Sequence, residues 1–423
     1  MAAPGPARRW WRDATGGLPR PFWFLWAGTL VNRLGYFVAP FLTLYLVREE
    51  GLEPTAAGAV MAGFGFGSLL SQPLGGWLSD RLGRRPTLTA GMVATAVAYL
   101  ALGAARPLSA VAVCAFAAGL ATDLYRPAVA AMVADLVDPA DRQRAYGLLY
   151  WAINLGVGVA TVAGGALAER SFGLLFVADA ATCLGFAVVV ARAVPETRPA
   201  AVADQVGYRT VLRDPLLVAL SASSLAAAAV YLQFVVTLPL AMRADGLDAQ
   251  AYGLAVAVNP ALIVLAQPLV ARLLRDRPAL DVYAASGVLA GLGFGLTAFV
   301  STLPGYAATV GVWTLGEITL NLAAPTIVAT IAPAAMRGRY LGVWGSSWGI
   351  ASFLAPLAGT WTFQHLGSRP LWLGCLAVAS VATLSLLPAG PALRRRERAL
   401  DAPAPPATPD GAPVDGGTHL PDA

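Results

Sequence analysis

Twelve runs of about 20 mainly apolar residues follow one another along this chain, each long enough to cross a bilayer as a helix. They cover 22–47, 55–79, 86–105, 108–134, 143–169, 171–193, 213–241, 250–274, 279–301, 304–331, 339–365 and 369–388. Lipid offers no hydrogen bonds to the backbone, so such runs must satisfy their own peptide groups as helices. Composition agrees: 57% of residues are hydrophobic and only 13% are charged, where a soluble domain carries about 25% charge. So few charges cannot cover a water-facing surface. Many of the 31 Pro and 44 Gly residues lie inside the apolar runs, which membrane helices tolerate. The fold class read from these features is an all-α membrane protein with twelve transmembrane helices.

All 29 basic residues are Arg, and their positions orient the chain. With both termini in the cytoplasm, 22 of them fall in cytoplasmic segments, five in outer loops and two, Arg33 and Arg126, within helices. This is a positive-inside bias that only an even number of spans allows. It accounts for the net charge of +5 without a nucleic-acid partner. The cluster Arg8-Arg9-Trp10-Trp11-Arg12 reads as an interfacial anchor rather than a signal sequence, since the following apolar run is too long for a signal peptide. Cys114, Cys183 and Cys375 lie apart in apolar runs and read as small core residues. No metal or cofactor is expected.

The two halves of the sequence match at a shift of 195 positions. Glu50-Gly51-Leu52 falls on Asp245-Gly246-Leu247, Gln72-Pro73-Leu74 on Gln267-Pro268-Leu269, and Arg142, Arg144, Gly147 and Gly164 on Arg337, Arg339, Gly342 and Gly359. The shift spans six helices, so the repeats are parallel and related by an axis along the membrane normal. The expected organisation is a cytoplasmic segment (1–21), a six-helix bundle (22–193), a cytoplasmic linker (194–212), a second six-helix bundle (213–388) and a Pro-, Asp- and Gly-rich tail (389–423) expected to be disordered.

The loop between the second and third helices reads Gly76-Trp77-Leu78-Ser79-Asp80-Arg81-Leu82-Gly83-Arg84-Arg85. It resembles the G-x-x-x-D-R-x-G-R-R signature loop of the major facilitator superfamily, and helix number, repeat and orientation extend the resemblance over nearly the whole chain. The resemblance implies two six-helix bundles enclosing a cavity, alternating access, and a gating role for the loop residues Gly76, Asp80, Arg81, Gly83, Arg84 and Arg85. Within the superfamily the chain looks most similar to the drug:proton antiporters of the multidrug-resistance branch. It departs from that pattern at Ala115, where a basic residue is usual four positions before Gly119, and at Ala160-Thr161, where Gly-Pro usually precedes the pair Gly164-Gly165.

An ionisable residue inside a spanning helix is costly and is a functional candidate by default. Four stand out: Arg33 in the first helix, Asp123 and Arg126 in the fourth, and Glu317 in the tenth. Helices one, four, seven and ten line the cavity in the family the chain resembles. Asp123 and Arg126 share a helix face and can pair. Glu317 has no charged neighbour on its own helix, as a proton-coupling group requires; Asp123 is the second candidate for that role. Asn32, Tyr36, Tyr125, Asn154, Tyr231, Gln233, Asn259, Trp313 and Asn321 are expected to line the cavity, where aromatic rings suit lipophilic cations. Asp135 and Asp179 fall toward predicted helix ends, where water or headgroups reach them.

The chain has no G-x-x-x-x-G-K-[ST] phosphate loop, so ATP-driven pumping is disfavoured. Its two histidines, His365 and His419, form no catalytic cluster, and an enzyme is disfavoured too. The expected function is secondary active transport, proton-coupled efflux of amphipathic or cationic small molecules, by a monomer in the bacterial inner membrane. Its expected partners are a small-molecule substrate, protons and the lipid bilayer. Transport of a sugar or other small metabolite is the alternative, and a receptor role for the same fold is a third.

Overall fold

The computed structural model describes residues 17–138, 141–197, 211–274, 277–332 and 337–401. The anchor cluster at 8–12, most of the linker expected at 194–212, Arg275-Asp276 and the tail beyond 401 lie outside them.

Among the described residues the chain forms twelve helical rods and a short terminal helix. They are α1 (Arg20–Leu34, resuming as Val38–Arg48), α2 (Pro54–Leu82), α3 (Arg84–Ala104), α4 (Leu108–Thr122, resuming as Tyr125–Leu136), α5 (Arg142–Arg170) and α6 (Phe172–Ala193). Then follow α7 (Pro215–Tyr231, with short segments Gln233–Val236 and Leu238–Ala244), α8 (Ala249–Leu274), α9 (Ala279–Leu296), α10 (Leu303–Ile331), α11 (Arg337–Leu366), α12 (Ser368–Leu384) and α13 (Gly390–Asp401). Among the described residues, nine spans are long and apolar enough by length and composition to cross a membrane.

Local chemistry sets the helix ends. Pro54 and Pro215 occupy first-turn positions, where the missing N–H costs nothing. Asp214 and Thr302 cap α7 and α10 by accepting from the Leu216 and Gly305 amides. The sequence repeat has a structural counterpart in the turns Gly51 and Gly246, which stand 195 positions apart at φ 67° and 80°. Glycine is the residue that adopts this conformation without strain.

Helices α1–α6 pack chiefly among themselves, as do α7–α12, and the two sets meet mainly along α2 against α11 and α5 against α8. These seams are tight at the end opposite the Gly76–Arg85 loop. There the Thr55 amide donates to Gln364 at 2.8 Å. Glu169 at the end of α5 accepts from Arg48 at 2.7 Å and from the Ala249 amide of α8 at 3.0 Å. Phe66 packs on Phe353, and Phe41 meets Tyr252 edge-on. Toward the loop end the sets part: Gly76, Gly147, Gly342 and Gly345 look into open space, and Trp77, Tyr146 and Leu341 are exposed. The molecule is therefore closed at one end and cleft at the other.

Two expectations change. The terminal stretch is helical over Gly390–Asp401 rather than disordered from 389. Leu393 buries against the ends of α7, α10 and α11, and Arg396 donates to Asp214 at 2.6 Å and to the Ile331 carbonyl at 2.7 Å. Asp179 lies well inside α6 and is 2% exposed, not at a solvated helix end.

Candidate functional site

Three of the four candidate cavity helices are interrupted near mid-length, α1 at Gly35–Phe37, α4 at Asp123–Leu124 and α7 at Leu232. The α1 and α7 breaks are repeat-related, since Tyr36 and Tyr231 stand 195 positions apart. Broken helices bring backbone polarity and side chains to a membrane-depth cavity, as in transporters generally.

On the α7–α12 side, Glu317 of α10 accepts from the Asn259 amide of α8 at 2.5 Å. Asn259 also donates to Thr314 at 3.0 Å, and Tyr231 lines the same cavity as Glu317. No ion pair to Glu317 occurs among the described residues. The carboxyl borders a narrow cavity walled by Tyr231, Phe294, Trp313, Asn321 and Trp348. Trp313 stacks on Phe294 at 5.2 Å, and Tyr231 meets Trp313 and Trp348 edge-on at 5.6 and 5.5 Å. Trp313, Glu317 and Asn321 recur every four residues, so α10 presents one continuous stripe to this space.

On the α1–α6 side, Asp123 pairs with Arg126 at 3.1 Å and accepts from Ser68 at 2.6 Å. The pair expected from their spacing is thus present, with Arg126 half exposed. Arg33 is buried; its guanidinium bonds the Tyr125 hydroxyl and lies over the Tyr36 ring at 5.2 Å. Its Nε has no hydrogen-bond partner among the described residues. Asn154 donates to the Tyr150 carbonyl at 2.9 Å and edges an apolar groove between α5 and α8.

Two residues expected in the cavity serve other contacts. Gln233 is buried with its amide donating to the Ala229 and Ala355 carbonyls and accepting from Thr237, so it ties the α7 break to α11. Asn32 turns toward α6, where it donates to Cys183 Sγ at 3.3 Å. Gln233 is held by the carbonyls around the α7 break and Asn32 by a thiol on the neighbouring α6.

The signature loop is an ordered charge network. Arg84 is buried between Asp80 at 2.8 Å and Asp135 at 3.5 Å. The Arg84 and Arg85 amides donate to Glu196 at 2.8 and 3.2 Å, and the Arg85 guanidinium donates to the Ala191 carbonyl. Gly83 makes the turn at φ 107°, and Arg81 stacks over Trp77. Asp80 is 74% exposed and Gly76 faces open space, so α2 is not engaged with α11 here. Sequence reasoning missed Glu196 and undervalued Asp135; both lie outside the motif and reach it only through the folding of α4 and α6.

Comparison with known proteins bears on this architecture. The chain is 26% identical over 378 residues to the MFS-type transporter YttB of Bacillus subtilis (strain 168), covering 88% of this chain and 95% of that one. It is 26% identical over 376 residues to the multidrug resistance protein MdtH of Aeromonas salmonicida (strain A449), covering 86% and 93%. It is 24% identical over 386 residues to a Na(+), Li(+), K(+)/H(+) antiporter of Planococcus maritimus, covering 80% and 90%. Among solved structures, a POT family transporter in complex with 5-aminolevulinic acid superposes with a TM-score of 0.79 at 16% identity, covering 90% and 98% of the two chains. The D323A mutant of the nucleoside transporter NupG gives 0.76 at 12% identity, covering 87% and 99%; these two show the shared fold. The family model for the major facilitator superfamily matches residues 25–317 and 219–416. With that match added to the twelve rods, the duplicated turns and the signature loop, the chain belongs to the major facilitator superfamily of membrane transporters and is not an enzyme.

Proposed function

We propose that this protein is a proton-coupled exporter of amphipathic or cationic small molecules, working by alternating access in the bacterial inner membrane with both termini in the cytoplasm. The observation that carries the reading is Glu317, a carboxyl at membrane depth with no ion-pair partner among the described residues, held by Asn259 beside an aromatic wall. A charge in such a place is expensive. It is relieved by a proton or by a cationic solute, and the two compete for one group. That competition is the simplest form of antiport. The rings of Tyr231, Trp313 and Trp348 suit the flat, apolar body of a lipophilic cation.

Two six-helix bundles, 22–193 and 213–388, rock about this site. The cleft at the signature-loop end corresponds to a state open to the cytoplasm. In the opposite state Asp80, Arg81 and Arg85 latch the loop end of α2 against α11. Asp123 and Arg126 form a second charged station on the facing wall. The MdtH relatives bear a multidrug-resistance name, which supports the efflux reading. The test is energised efflux of ethidium from cells expressing the protein. Efflux lost on adding a protonophore and in Glu317→Gln supports the proposal; uptake or exchange of a sugar with no effect on ethidium favours the metabolite reading.

A further inference from the structure

The break in α1 has a partner that neither the cavity nor the signature loop uses. The α1 ladder ends at Leu34, and the helix restarts at Val38. A restart exposes backbone N–H groups with no carbonyl one turn earlier, and at membrane depth no water replaces them. Asp179 of α6 fills that need. Its Oδ2 accepts from the Val38 amide at 3.1 Å and shares the Phe37 amide, at 3.2 Å, with the Gly35 carbonyl at 2.7 Å. Its Oδ1 accepts from Cys183 Sγ, which in turn accepts from Asn32 Nδ2. The carboxyl thus stands at the N-terminus of the second α1 segment, where the helix dipole favours it. The helices also touch at backbone range, because a Cβ on Gly35 would collide with the Thr182 side chain. The residues flanking the break, Arg33 and Tyr36, stack on one another beside Tyr125.

The second half holds its break in a different way. The repeat equivalent of Asp179 is Gly374, and the α7 break is tied by its own Gln233 to Ala229 and Ala355. The carboxylate cap is therefore a device of the first half alone.

We propose that Asp179 is a positioning residue. It caps the interrupted α1 from a neighbouring helix, and through that cap it fixes the direction in which Arg33 and Tyr36 meet the cavity. An acceptor oxygen is what the role requires, and Asn caps helices about as well as Asp. Charge at Asp179 is not required.

The test uses the full-length protein in lipid nanodiscs and needs no knowledge of the substrate. Hydrogen exchange is followed at the Val38 amide in the wild type, Asp179→Ala and Asp179→Asn. In parallel, a cysteine placed by Tyr36→Cys is labelled with a water-soluble maleimide, with the native cysteines as background. The expected result is exchange about tenfold faster and a labelling rate shifted by a similar factor in Asp179→Ala, with both restored in Asp179→Asn. If Asp179→Ala does not fold, Asp179→Ser, which keeps a shorter acceptor, is expected to fall between the wild type and full loss. Unchanged exchange in the Ala or Ser variant overturns the proposal. So does an Asn variant as fast as Ala, because charge rather than capping would then hold the break.

Discussion

The side-chain amide of Asn259 on α8 donates to the Glu317 carboxylate on α10 at 2.5 Å while also holding Thr314 at 3.0 Å. This contact joins two helices through a membrane-depth carboxyl that has no ion-pair partner among the described residues. Truncating Asn259→Ala removes the hydrogen bond that holds the Glu317 carboxyl. A hydrogen bond to a charged group is worth about 1.5–3 kcal/mol, so substrate-driven proton flux in Asn259→Ala is expected to fall roughly tenfold to a hundredfold. Asn259→Asp is expected to be worse, because it sets two carboxyls against each other. Initial rates of proton flux in proteoliposomes check both.

Asp80 and Arg84 are expected to separate gating from stability. Arg84 is buried between two carboxylates, whereas Asp80 is mostly exposed. An exposed pair contributes about 0–1 kcal/mol. Asp80→Asn should therefore leave thermal stability within about 1 °C of the wild type while cutting transport severalfold, since its role lies in the opposite state. Arg84→Gln leaves Asp135 without its partner and should lower both. Thermal unfolding and transport measured on the same preparations decide the matter.

The contact of Arg396 with Asp214 predicts an acid-sensitive strap. Burial pushes the Asp214 carboxyl up, but the bonds it accepts from Arg396 and Tyr340 outweigh that and hold it below its ordinary value. A depressed carboxylate stabilises the fold above its ordinary titration range, and that stability fades as pH falls through its lowered folded value. Arg396 is partly exposed, so Arg396→Gln should cost only about 1 kcal/mol at neutral pH. The difference in Tm between variant and wild type should shrink on acidification below the ordinary carboxylate range.

The closed end offers a test of alternating access. The Thr55 amide and the Gln364 side chain meet at 2.8 Å. A disulfide between Thr55→Cys and Gln364→Cys should hold that end shut. Transport is expected to drop to background on oxidation and to return on reduction. Transport undiminished by complete cross-linking would count against rocking of the two bundles.

Much of this was legible in the sequence, for physical reasons that differ by residue. The twelve rods follow from lipid acting as solvent, which leaves runs of about 20 apolar residues no other form. The pairing of Asp123 with Arg126 follows from helical spacing alone. Glu317 stood out because nothing on its own helix could neutralise it. Its bond to Asn259 needs the packing of α8 on α10, which no local pattern encodes. Position along a helix does not give the surroundings of Asp179, which packing against α1 buries. Gly35 and Pro40 bracket the α1 break in the sequence, but the carboxyl that serves the Val38 amide comes from α6, whose packing no local pattern encodes. Helix α13 was hidden by the Pro-rich residues that follow it, although its Arg-rich face and buried Leu393 give it a docked side.

The most direct test of the central claim is lumenal pH in proteoliposomes on addition of ethidium, compared between the wild type and Glu317→Gln. Proton movement in the wild type that disappears in Glu317→Gln, with ethidium binding retained, is the result this account predicts. Equal proton movement in the two proteins would contradict it and move coupling away from Glu317.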